Sequence, residues 1–190
     1  MKFTKTIILA SQSPRRSQLL REAGFDFVVR AKDVEESYPA DLPVLEIAPF
    51  LAQKKARASS ELLDNQSIIL AADSIVILDE VVYGKPQDRE DGIRMLRALS
   101  GKKHQVVTGV CLLSPNKEVV FSEIANVYME NLTDEEILHY LDTYKPYDKA
   151  GAYAIQEWIG HCKISRIEGT YSNIMGLPVQ LVYQYLQNFI

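Results

Sequence analysis

The sequence predicts an α/β or α+β domain built on a mixed, twisted sheet, and three observations support this. In the first half, short apolar runs of the buried-strand kind alternate with stretches of helical spacing. Two long strand-like segments, His104 to Leu113 and Val119 to Glu130, follow in the second half around a Ser114-Pro115-Asn116 turn. Helix start and stop signals recur at the right distances, so the alternation belongs to one layered architecture of helices against a sheet.

Each element has its own reason. Ile7 to Ala10 reads as a buried strand and feeds Ser11-Gln12-Ser13-Pro14-Arg15-Arg16. Ser13 then Pro14 fits N-cap and N1, Leu19, Leu20 and Ala23 give helical spacing, and Gly24 marks the stop. Phe25 to Val29 is the next strand, ending in the acidic Asp33-Val34-Glu35-Glu36. From about Leu45 to Leu63 the pattern is helical, with Pro49 in the first turn or kinking the helix. Ile68 to Leu78 is β-branched and apolar, interrupted by Asp73-Ser74, and Asp79-Glu80 turns it back through Val81-Val82-Tyr83.

After Gly84-Lys85-Pro86, Asp88 caps a helix carrying Ile93, Leu96 and Leu99, closed by Gly101. Thr133 and Glu136 form a capping box for a helix through about Thr143. Tyr144 to Gly176 is Gly- and Tyr-rich, with short strands at best. Pro178 starts a terminal helix whose face carries Leu181, Tyr185 and Phe189. No repeat, low-complexity segment or linker divides the 190 residues, so one functional unit over 1–190 is expected. That length suits a single core or two small lobes around a cleft.

Composition narrows the function. Hydrophobic residues are 47% and charged residues 24%, as in ordinary globular proteins, and the formal charge of −4 gives no general attraction for nucleic acid or an anionic membrane. A polyanion site must therefore be local. Cys111 and Cys162 form neither a metal-ligand spacing nor a disulfide framework, and His104, His139 and His161 are scattered, which disfavours a His/Cys zinc site. The run Ile7–Ala10 is too short for a signal-peptide core and no stretch is long enough to span a bilayer, so the cytoplasm is the expected compartment.

Two local oddities point to chemistry. Arg15 and Arg16 stand in the first turn of a helix, where the macrodipole disfavours cations. They make sense there if an anion sits against backbone N–H groups, the Ser11 and Ser13 hydroxyls and the guanidinium forks; otherwise they are solvated flank residues. Asp73, between Ala71-Ala72 and Ile75-Val76-Ile77, is costly in a buried strand unless paired or metal-bound. It is a candidate metal ligand or general base, the alternative being a structural ion pair. Glu35 or Glu36 could add a second carboxylate, enough for Mg²⁺ together with substrate phosphates and water. In the cluster Asp148-Lys149-Ala150-Gly151-Ala152-Tyr153-Ala154-Ile155-Gln156, small residues beside Tyr153 and Gln156 leave room for a flat ligand, and the Gln156 amide suits a pyrimidine edge; a tight turn with a packed tyrosine would look the same.

In order along the chain, Leu9-Ala10-Ser11-Gln12-Ser13-Pro14-Arg15-Arg16, Val34-Glu35-Glu36, Ala72-Asp73-Ser74 and Gly84-Lys85-Pro86 resemble the Maf family of nucleotide pyrophosphatases. The resemblance continues through Ser100-Gly101, Val107-Thr108-Gly109-Val110, Asp148-Lys149-Ala150-Gly151-Ala152-Tyr153, Gln156 and Gly176-Leu177-Pro178. It implies an α/β fold of the Maf and ITPase-like type, a mixed sheet flanked by helices with two lobes around a cleft. It also implies cleavage between the α and β phosphorus of a nucleoside triphosphate, in the branch acting on dTTP and UTP. By position, Asp73 would be the general base, and Glu35 a metal or water ligand beside Asp73. Ser11, Arg15, Arg16, Lys55 and Lys85 would bind phosphates, and Ser74 and Gln156 would help recognise the nucleotide. A divalent cation, Mg²⁺ or Mn²⁺, and pairing into a homodimer are implied as well. The chain departs from the usual pattern at Ser74, where Thr is commoner, at Ala154, which replaces a usual Gly, and over Glu157-Trp158-Ile159-Gly160-His161-Cys162.

The expected reaction is metal-dependent in-line attack of water on the α-phosphorus, with Arg and Lys neutralising charge on the phosphate oxygens. Two rivals stand beside it. One is a nucleotide-responsive regulatory or binding protein, linked to septum formation, with little turnover. The other is a nucleic-acid module using the Arg15-Arg16 helix, disfavoured by the acidic balance and the lack of a broad basic stripe.

Overall fold

A computed structural model describes residues 5–189. In chain order the strands are β1 (Thr6–Leu9), β2 (Phe27–Val29), β3 (Ser67–Leu78), β4 (Val81–Tyr83), β5 (Lys103–Ser114), β6 (Lys117–Met129) and β7 (Ile164–Glu168). The helices are α1 (Pro14–Glu22), α2 (Ile47–Ala58), α3 (Arg89–Leu99), α4 (Asp134–Tyr144), α5 (Trp158–Cys162), α6 (Tyr171–Met175) and α7 (Val179–Leu186). The sheet runs β2-β1-β3-β5-β6-β7, with β4 on β3. It is mixed: β1 pairs parallel with β2 and β3, whereas β4 and β7 pair antiparallel with β3 and β6.

The chain divides into two compact units. The first takes the described residues of Met1–Asp73, Thr108–Glu123 and Gly176–Ile190. β1 lies in register with β3, Ile7 against Ile68 and Leu9 against Leu70, as buried parallel strands require. Its core joins Ile8, Ala10, Ala52, Ala56, Ile69, Ala71 and Cys111, with the small residues of α2 letting that helix lie close to the strands. Closeness reaches its limit at Gly109 in β5, where an added Cβ would stand 2.2 Å from Pro49 N and 2.3 Å from Ala48 C. Pro49 falls in the first turn of α2, where its missing N–H costs nothing.

The second unit takes Ser74–Val107 and Ile124–Met175. Its core includes Val76, Tyr83, Leu96, Leu99, Val127, Ile137, Tyr140, Leu141, Tyr153 and Ile159. Capping is as the sequence expects: Asp88 accepts from Asp91 N, and Thr133 and Glu136 close a reciprocal capping box. The β3–β4 hairpin turns through Asp79 and Glu80, both at positive φ, which matches the twist of a two-residue hairpin.

Several boundaries differ from expectation. β2 starts at Phe27 rather than Phe25, because Phe25 N closes the end of α1 on Leu20 O. β3 runs unbroken through Asp73-Ser74, since a polar side chain does not interrupt backbone ladder bonds. The Leu45–Leu63 stretch is α2 flanked by short 3₁₀ turns at Val44–Glu46 and Ser60–Leu62. Tyr144 to Gly176 holds α5 and α6 besides β7. Pro178 is the N-cap of α7, and Val182, Leu186 and Phe189 are buried, while Leu181 and Tyr185 are only half-buried.

Candidate active site

The first unit assembles most of the expected residues. Ser11 follows β1 and is buried; its Oγ accepts from Ser13 N at 3.2 Å and from Arg16 Nη1 at 3.0 Å. Arg16 Nε also donates to Gly176 O at 2.8 Å. Burial pulls the Arg16 guanidinium below its ordinary pKa, with Arg15 acting in the same direction and the carboxylates of Asp73 and Glu36 opposing. Ser13 occupies the N-cap of α1, but its side chain makes no capping bond, and the first turn holds no acidic residue. The result is a helix N-terminus flanked by Arg15 and Arg16, a setting in which an anion stabilises both the dipole and the cations.

Asp73 is 7% exposed on β3, where the strand leaves the first unit. The ammonium of Lys55, on α2, is paired with its carboxylate. The same ammonium lies 2.8 Å from Glu36 Oε1, so one cation bridges two carboxylates. The loop carrying Glu36 is tied to α2 a second time, by Lys54 Nζ on Ser37 O and Oγ at 3.0 and 2.9 Å. Of the neighbouring acids, it is Glu36 that meets Lys55, while Glu35 is exposed on the same loop.

In the second unit, Ser74 is half-buried on β3 and Lys85 is exposed in the turn after β4. Gly84 O accepts from Gly151 N at 3.0 Å, which joins the Gly84-Lys85-Pro86 turn to the Asp148–Gln156 segment. Gly151 sits at φ +69 with Val76 side-chain carbons 2.9 to 3.3 Å from where a Cβ would be, so both its conformation and its contact favour glycine. Gln156 Oε1 is buried and has no hydrogen-bond partner. Sequence reasoning did not single out Tyr140, whose hydroxyl bonds Glu157 and Ala154 on either side of Gln156 in the chain. The one signal available was the atypical run beginning at Glu157.

Among the described residues no group of three or more His, Cys, Asp and Glu side chains could hold a metal ion. The acids available near Asp73 are oxygen donors only, the chemistry that Mg²⁺ and Mn²⁺ accept and soft metals do not. No described helix is long and apolar enough to cross a membrane.

The protein-family profile described as Maf-like protein matches residues 6–189. The chain belongs to the Maf-like protein family. This Maf-like chain is 48% identical over 182 residues to a dTTP/UTP pyrophosphatase of Bacteroides thetaiotaomicron, covering 95% of this chain and 94% of that one. It is 48% identical over 186 residues to a dTTP/UTP pyrophosphatase of Porphyromonas gingivalis, covering 96% and 94%. One from Flavobacterium johnsoniae is 44% identical over 184 residues, covering 97% and 95%. In fold, the Maf-like chain is similar to the Ham1 protein of Staphylococcus aureus, with a TM-score of 0.57 and 18% identity over 98% of this chain and 100% of that one.

Proposed function

We propose that the chain hydrolyses dTTP and UTP, and modified pyrimidine nucleotides of the same shape, to the nucleoside monophosphate and pyrophosphate. The observation that carries this reading is the buried Asp73 carboxylate, held by the ammonium of Lys55 in a unit that also presents Arg15 and Arg16 at a helix N-terminus. The names of the relatives supply the substrate class.

Asp73 takes a proton from water as the water oxygen bonds to the α-phosphorus. The bond from that phosphorus to the bridging oxygen breaks, and pyrophosphate leaves with the electron pair. Ser11, Ser13 and the first-turn N–H groups of α1 bind phosphate oxygens, and Arg15 and Arg16 offset their growing charge. Lys55 holds the Asp73 carboxylate in place, and on the family resemblance it also binds phosphate. Lys85, Ser74 and Gln156 are assigned to the nucleotide on the family resemblance, Lys85 to phosphate and the other two to recognition. On the family resemblance, Asp73 and Glu35 would hold a divalent cation such as Mg²⁺ or Mn²⁺, which would supply neutralising charge and a more acidic water.

The test is pyrophosphate release from a panel of nucleoside triphosphates with Mg²⁺, wild type beside Asp73→Asn. Release from dTTP and UTP that falls by about 10² to 10⁴ in the variant is expected of a lost general base. Nucleotide binding without release by the wild type would replace this reading with the regulatory one.

A further inference from the structure

A buried polar network in the second unit plays no part in the proton transfer at Asp73. Tyr140, fully buried on α4, donates its hydroxyl proton to Glu157 Oε2 and accepts from Ala154 N at 3.0 Å. Lys149, with its side chain only 11% exposed, meets the other carboxylate oxygen of Glu157 at 3.4 Å and Asp148 at 2.7 Å. Nearby in sequence, Tyr153 is fixed through its hydroxyl to His104 Nε2 at 2.7 Å. Ala154 and Glu157 bracket Gln156, and both are tied to the one hydroxyl of Tyr140.

The network does not satisfy Gln156 itself, whose Oε1 is buried without a partner. A buried acceptor left unpaired is costly, and a ligand that brings a donor removes that cost. Thymine and uracil present a ring N–H between two carbonyls; cytosine presents an acceptor at the same ring position.

We propose that Tyr140 is a positioning residue for base recognition: by clamping Ala154 and Glu157 it holds the Gln156 amide toward the ring N–H of a thymine or uracil base. This rests on the role given to Gln156 above. Burial also raises the Tyr140 hydroxyl well above its ordinary pKa, so it remains a donor throughout the working pH range.

The experiment compares Tyr140→Phe, Gln156→Ala and the double variant with wild type. It reads calorimetric Kd for dTMP and dCMP, KM and kcat for dTTP and dCTP, and thermal melting. Tyr140→Phe is expected to raise Kd for dTMP and KM for dTTP about tenfold, to leave kcat within about twofold, and to narrow the preference for dTMP over dCMP. The double variant is expected to bind dTMP no more weakly than Gln156→Ala, because residues acting as one unit are not additive. A merely structural tyrosine would give additive losses, and that result overturns the proposal. Normal dTMP affinity in Tyr140→Phe, with Gln156→Ala impaired, overturns the clamp alone. Normal dTMP affinity in Gln156→Ala overturns both the clamp and the recognition role beneath it. Should Tyr140→Phe fail to fold, Glu157→Ala takes its place, with Glu157→Gln, which still accepts from Tyr140, expected to restore affinity.

Discussion

Lys55 on α2 and Asp73 on β3 form an ion pair in which both side chains are largely removed from water, 16% and 10% exposed. A pair this dry contributes little net stability over a well-packed apolar pair, because desolvation offsets the Coulomb attraction. Its worth lies in orientation: Lys55 fixes a carboxylate that an apolar strand would otherwise exclude, and draws the Glu36 loop to the same place.

Removing the cation should therefore hurt more than the pair helps. Lys55→Met is expected to destabilise the fold by about 2 kcal/mol, because Asp73 then loses the partner that offsets its burial. Adding Asp73→Asn to Lys55→Met should recover much of that loss, as the stranded charge is gone. Urea unfolding of the four proteins in the cycle gives the answer. Unchanged stability in Lys55→Met would mean that Asp73 does not depend on this pair.

Asp73 was legible in the sequence because a carboxylate inside a β-branched apolar run violates the composition of a buried strand. The first helix was legible because Ser13, Pro14 and Gly24 punctuate it, and the α4 capping box because Thr133 and Glu136 are local partners. The Lys55 bridge was not legible from spacing, since it joins residues 18 apart through the packing of α2 on the sheet. α5 and α6, five residues each, are too short to show a helical period. On α7, apolar or aromatic residues at 179, 181, 182, 183, 185 and 186 nearly encircle the helix, so periodicity could not choose the buried face. The Tyr140–Glu157–Lys149 network depends on tertiary contact, and local pattern gave no route to it.

Gly109 tests how closely α2 lies on β5. A methyl group there would overlap the Ala48–Pro49 backbone, which cannot rotate away as a side chain would. Gly109→Ala is expected to cost about 3 kcal/mol or more, at the upper end for overpacked cores, measured by urea unfolding. A loss below about 1 kcal/mol would show that the helix can shift without penalty.

The two cysteines should differ sharply in reactivity. Cys111 is buried and its thiol is pushed up to about 12 by burial, with Glu118 adding to the shift, whereas Cys162 is exposed. Thiolate is the reactive form. Iodoacetamide at pH 8 should label Cys162 alone in the folded protein and both cysteines in denaturant, as read by mass spectrometry of peptides. Rapid labelling of Cys111 under native conditions would contradict its burial.

His104 should make the fold sensitive to acid. Burial depresses its imidazole from 6.5 to about 4, while in the unfolded chain it takes up a proton near its ordinary value. Between these values the unfolded chain binds a proton that the folded one refuses. This contribution to stability is therefore fully present above pH 6.5, falls as pH drops toward 4, and levels off below. Across that window the loss amounts to about 3 kcal/mol from this residue. His104→Gln keeps a polar group facing the Tyr153 hydroxyl but cannot titrate. Its unfolding free energy should be lower than wild type at pH 7.5 and fall less steeply between pH 6.5 and 4. Urea midpoints measured every half pH unit for both proteins decide it: equal slopes would mean that His104 is protonated in the folded state as readily as in the unfolded one.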